Sequence, residues 1–188
     1  LYRDELDYKM AHDADALLDK MNGISFVVNP TRQDAITRGT LSNDDFDGEM
    51  YNVSYHIESI EEKGLPIDPI NAYNLFAIYL RWCIEHDLMG EDFLNEYGEV
   101  AKQVKADPAS VDLRAFIRDK LNGQIMVPMF NQIGRAFTSY YYGKPDSPNF
   151  PRDIENYALE YLGPEKYYSD EFQFKAPLFI PFDEDYYQ

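Results

Sequence analysis

The sequence predicts an α+β fold that is mostly α: five to six helices around a buried central helix at about 69–89, with a small β-sheet from about 24–28 and 51–58. Three observations predict it. Apolar residues recur at helical spacing through most of the 188 residues. One segment, NAYNLFAIYLRWCIEHDLM, is apolar on nearly every side, which marks a helix buried in the centre. Two short segments, ISFVV and YNVSYHIE, have the composition or alternation of strands.

Along the chain, Leu6, Met10, Ala14, Leu17, Leu18 and Met21 make an amphipathic helix over 3–21, stopped by Asn22-Gly23. Ile24 to Val28 follows as a short buried strand ended by Asn29-Pro30. TRQDAITRG holds a short helix and SNDDFDGEM a loop. Over 51–58, Tyr51, Val53, Tyr55 and Ile57 alternate with Asn52, Ser54, His56 and Glu58, the pattern of a half-buried strand. The central helix begins with Asp68 as N-cap and Pro69 at its first position, and Gly90 supplies a left-handed stop. Two polar amphipathic helices, 91–105 and 109–121, are separated by Ala106-Asp107-Pro108. A helix over 126–141 starts near Pro128 and stops at Gly143, and another follows Pro151 and ends at Gly163-Pro164. FQFKAPLFIPFDEDYYQ carries two prolines in an apolar run, so it reads as an extended arm lying on the core. There is no repeat or long linker, which predicts one globular domain over 1–188, with 1–45 as a possible separate N-terminal layer.

Composition narrows the function classes. Asp and Glu number 34 against 17 Lys and Arg, a formal net charge of −17. Nucleic acid and anionic membrane surfaces both demand basic patches, so neither is an expected partner. Such a surface steers basic partners instead, or serves only to keep the protein in solution. The one cysteine, Cys83, rules out an intrachain disulfide and a thiolate zinc cluster, which favours a reducing compartment. No stretch approaches the roughly 20 apolar residues of a membrane span. The opening LYRDELDYKM is too polar for a signal peptide, so a cytoplasmic location is expected. The sequon Asn52-Val53-Ser54 matters only in a secreted eukaryotic protein.

No segment carries a catalytic signature: GxSxG, the phosphate-binding glycine motifs and HExxH are all missing. Asn43, Asp45, Asp47 and Gly48 imitate the start of a calcium loop, but position twelve is Ser54 where a bidentate glutamate is required. His12, His56 and His86 stand apart from one another, and isolated histidines are usually structural or exposed. Cys83 lies in the most apolar helix, where a thiol is an inert packing group. Arg81 and Glu85, one turn apart, pair across the surface. No enzyme, metal or cofactor is expected on these grounds, although a hydrolase site assembled from scattered carboxylates with His56 or His86 would leave no motif.

What remains is the distribution of acid and aromatic residues. Asp44, Asp45, Asp47, Glu49, Glu58, Glu61 and Glu62 follow one another with no Lys or Arg between them. Asp170, Glu171, Asp183, Glu184 and Asp185 interleave with Tyr167, Tyr168, Phe172, Tyr186 and Tyr187. Either group is a solvated face or a contact surface, since tyrosine supplies contact area at low entropic cost. The predicted partner-binding residues are Asp44, Asp45, Asp47 and Glu49 in the first group and Asp183, Glu184, Asp185, Tyr186 and Tyr187 in the second. Leu178, Phe179, Ile180 and Phe182 are too apolar to hang in water, which predicts that the tail is docked.

The order YNVSYHIE, GLPID, NAYNLFAIYLRWCIEHDLMGEDF, RAFTSYYYG and YALEYLG resembles an uncharacterised bacterial family of small acidic proteins, some associated with immunity genes beside polymorphic toxins. The resemblance spans about residues 50–165 and rests on packing and turn residues, so it transfers no active-site residue. It implies a non-catalytic antidote that binds a basic toxin domain. An adaptor or regulatory protein without a toxin partner fits the same composition.

Overall fold

The computed structural model describes residues 49–141, 150–172 and 175–188. The predicted helix over 3–21 and strand over 24–28 lie outside them. Among the described residues the fold is helical in its majority, as the periodicity predicts.

Strand β1 (Glu49–Asn52) pairs antiparallel with β2 (Gln124–Met126), with Tyr51 opposite Ile125, Asn52 opposite Gln124 and an irregularity in register after Glu49. This two-stranded ribbon is all the β structure in named strands among the described residues, and it is not the predicted sheet. The segment 51–58 leaves the ribbon at once. Asn52 accepts the Ser54 amide at 2.9 Å on its side chain, and α1 (Ser54–Lys63) begins there. The reason is visible in burial. A strand would have carried Tyr55 inward with Val53, whereas the helix turns Val53 and Ile60 into the core and leaves Tyr55 61% exposed. The residues alternate, but Val53, Ile57 and Ile60 also fall at helical spacing, and packing selects that period. Gly64 closes α1 in the left-handed conformation, and the amide of Leu65 returns to the Ile60 carbonyl at 3.0 Å.

The central helix starts where Asp68 and Pro69 predict: the Asp68 carboxylate accepts the Ile70 amide at 2.9 Å. Its first turn, Pro69–Tyr73, is 3₁₀ and leads directly into α2 (Asn74–Glu85). No residue of α2 is exposed, and Phe76, Ala77, Leu80 and Cys83 are fully enclosed. The end differs from the prediction. The left-handed residue is Asp87, and Gly90 is the extended cap that opens α3 (Glu91–Ala106). Gly90 donates to the Met129 carbonyl at 2.7 Å, so it serves a contact between segments and not the helix stop.

Of the two polar helices the first lies where predicted, and the second begins later than predicted, because Pro108–Ser110 is a separate 3₁₀ turn. α3 bends at Tyr97, and α4 (Leu113–Lys120) is capped by Asp112, whose carboxylate accepts the Arg114 amide at 3.0 Å. The helix predicted over 126–141 is shorter: Met126 belongs to β2, Val127–Met129 is a 3₁₀ turn, and α5 covers Gln132–Tyr141. α5 sits very close to the end of α2. A methyl added at Gly134 would lie 2.4 Å from the Leu88 carbonyl oxygen, so only glycine permits this crossing. α6 (Phe150–Leu162) and the single-turn α7 (Pro164–Tyr167) follow, joined by Gly163. The C-terminal segment is not an extended arm. It forms a 3₁₀ turn at Ala176–Phe179 and a last turn of helix, α8 (Glu184–Tyr187). It is docked all the same, with Leu178 and Ile180 in the core.

Candidate interaction surface

The C-terminal segment is held by polar groups at the head of α2. Asn71 donates to the Leu178 carbonyl at 3.1 Å and Asn74 to the Ile180 carbonyl at 3.2 Å, which satisfies backbone oxygens that burial strips of water. Further on, Arg81 of α2 makes a two-pronged contact with Glu184 (2.7 and 3.0 Å), pairs with Glu85 at 2.8 Å, and stacks 3.5 Å from the centre of the Tyr187 ring. Tyr187 in turn hydrogen-bonds Glu85. Burial alone would lower the pKa of Arg81, but the hydrogen bonds to Glu184 and Glu85 outweigh it and the net shift is upward. The same Arg81 hydrogen bond, with one from Gln188, holds the Glu184 carboxyl below its ordinary value. Arg114 covers the Phe182 ring at 4.5 Å, tying the segment to α4 as well.

This docking brings α8 against α6. Tyr161, Tyr157 and Tyr186 form a stacked column, with ring centres 6.2 and 5.2 Å apart. Carboxylates surround it. Burial, then Asp183 and Asp185, then Tyr161 and Glu160 raise the pKa of Tyr157. Burial followed by the charge of Glu155 raises Tyr186. Glu155 also accepts the Tyr167 hydroxyl at 2.5 Å; burial and that hydrogen bond push Tyr167 up to about 12. Tyr161, at one end of the column, is 54% exposed, and Tyr168, edge-on to the Tyr167 ring, is 70% exposed. A negative field over exposed aromatic rings is suited to an arginine or lysine side chain, which gains both charge pairing and a cation–π contact.

The predicted contact residues separate by role. Asp183 and Asp185 are exposed, and Asp183 also caps α8 by accepting the Tyr186 amide at 3.0 Å. Glu184 is exposed but engaged with Arg81. Tyr186 is buried and Tyr187 half-buried, so their rings attach the tail more than they face outward. Asp44, Asp45 and Asp47 lie outside the described residues, and of Glu49 the backbone in β1 is described. Sequence reasoning missed the contribution of α6; its signal was the four-residue spacing of Tyr157 and Tyr161 in YALEYL.

Elsewhere, Cys83 is enclosed and burial pushes its thiol well up, in keeping with an inert packing group. His86 caps α2, its Nδ1 2.8 Å from the Trp82 carbonyl and its ring stacked on Trp82. His56 does not lie on a polar face: its ring packs at 5.9 Å from Phe76, and burial, followed by the charge of Lys175, lowers its pKa to about 4. Among the described residues no group of three or more His, Cys, Asp or Glu side chains is placed to hold a metal ion. No helix among them is long and apolar enough to cross a membrane.

The chain belongs to the family described as "Domain of unknown function (DUF7832)", whose model matches residues 49–170. No curated protein and no solved structure matches it. The match takes in the fold from β1 to α7 and includes Tyr157, Tyr161, Tyr167 and Tyr168, while the segment that carries Asp183 and Asp185 lies beyond it.

Proposed function

We propose that this is a non-catalytic protein-binding domain that takes a basic partner on its acidic, tyrosine-rich face, and that the partner is a toxin domain which it neutralises. The observation that carries the reading is the tyrosine column of α6 and α8, edged by Glu160, Asp183 and Asp185, with Tyr161 open to solvent. The surplus of 17 acidic residues supports it, because a toxin that acts on nucleic acid is basic and meets such a surface with fast, salt-sensitive association. The family resemblance of YNVSYHIE through YALEYLG supplies the toxin reading, and the acidic run of Asp44, Asp45, Asp47 and Glu49 belongs to the proposed contact set.

The test is co-expression with the product of the neighbouring gene, followed by gel filtration. A stable complex whose association slows when Asp183 and Asp185 are both changed to Lys is expected. Recovery of the two proteins separately overturns the toxin reading; an intact complex with unchanged rates in the Asp183→Lys/Asp185→Lys variant overturns this face. The same charge reversal at Asp44, Asp45 and Asp47 examines the other patch.

A further inference from the structure

Lys175 lies in an unusual place for a lysine. It is 4% exposed, in an apolar run with the buried Ala176, Pro177 and Leu178, and lysines are almost never enclosed unless paired. Among the described residues no carboxylate lies within ion-pair range of it. Its ammonium donates to Ser59 Oγ at 2.9 Å, and Ser59 passes its own proton to the Tyr55 carbonyl at 2.7 Å, so the serine has a lone pair to offer and no charge. Among the described residues its other close partner is the Tyr55 ring, whose centre is 4.6 Å from Nζ, and the His56 imidazole lies near enough to feel its charge. An ammonium carries three protons; the hydroxyl takes one and the ring faces another, which leaves the third without an acceptor among the described residues. A methionine would fill the same stem volume with nothing to satisfy. The group that covers the ammonium is also the easiest to move, because the Tyr55 ring is largely exposed and gives up little buried area when it rotates away.

We propose that Lys175 is the anchoring cation of a small anion-binding site closed by the Tyr55 ring, and that its ligand is a carboxylate. The incoming carboxylate accepts the unmet ammonium proton, with Ser59 retained as a neighbour. Glu58, Glu61 and Glu62 are exposed on α1, the helix that also carries Tyr55 and Ser59, and their negative charge disfavours polyanions and favours a ligand of single charge. The site is independent of the acidic face and of the partner proposed for it.

The test uses the full chain and sodium acetate, with sodium chloride at matched ionic strength as the reference, followed by amide NMR shifts. Saturable shifts at Ser59 and Lys175 with acetate, absent with chloride, are expected. Lys175→Met should weaken binding by roughly tenfold or more, the size of a lost charged hydrogen bond. Tyr55→Ala, which removes a mostly exposed ring, should lower the acetate concentration at half-saturation, and it keeps the idea testable if Lys175→Met does not fold. Non-saturating shifts, equal shifts with chloride, undiminished binding in Lys175→Met, or an unchanged or raised midpoint in Tyr55→Ala would each overturn the site.

Discussion

Two regions of this molecule each set a cation over a tyrosine ring, and they solve the problem of burial in opposite ways. Around Arg81, α2 meets the C-terminal helix, and the guanidinium has two carboxylates, Glu85 and Glu184, besides the Tyr187 ring. Around Lys175, α1 meets the turn before the tail, and the ammonium has a hydroxyl and the Tyr55 ring. In a chain with twice as many acids as bases, the more deeply enclosed cation is the one without an acid beside it among the described residues. Charge pairing thus holds the tail in place at one end, whereas at the other the fold encloses an ammonium that has no carboxylate beside it among the described residues.

Breaking the first region should have the largest effect. Arg81→Met leaves Glu85 half-buried without its cation and frees Glu184, and a loss of about 2–3 kcal/mol is expected in urea unfolding. Second in size is a pH effect beside Lys175. The pKa of His56 is lowered from 6.5 to about 4, so the unfolded chain takes up a proton before the folded one does. The stability due to neutral His56 is therefore complete above about pH 6.5 and is lost as pH falls toward 4, amounting to about 2 kcal/mol by pH 5. His56→Gln should flatten that part of the profile in parallel urea titrations at pH 7 and pH 5; an unchanged slope would show that the imidazole is not held neutral. Third, Lys175→Met should leave stability unchanged or raise it by about 1 kcal/mol, the reverse of Arg81→Met, because it removes an unpaired buried charge. A loss comparable to that of Arg81→Met would erase the contrast between the two regions. Smallest, Asp183→Ala removes the cap of α8 and should cost about 0.5–1 kcal/mol, seen as faster amide exchange at Tyr186 while α2 stays protected.

Much of this fold is legible in the residues. The central helix announces itself because its apolar positions fall on every side, and its start is written in Asp68-Pro69. Its end is not, since Asp87 takes the left-handed conformation while the nearby Gly90 is used for a close backbone contact. The 51–58 segment carries both periods, and only the packing of Val53 and Ile60 decides between them. β2 is three residues long, too short for any pattern. Of the candidate surface, the tail's acids and tyrosines and its docking are readable, but Arg81 as the docking partner depends on a contact 103 residues away. Lys175 had a signal that composition hides: one cation inside FQFKAPLFI.

The hydrogen bonds from Asn71 and Asn74 to the Leu178 and Ile180 carbonyls also bear on how the protein is made. The head of the central helix waits for backbone that lies more than 100 residues downstream. A ribosome adding about 5–20 residues per second takes several seconds to cover that distance. Through that interval the buried side of α2 is open to the cell, so this domain completes its core late in synthesis and has reason to depend on whatever shields nascent apolar surface until residue 180 is in place.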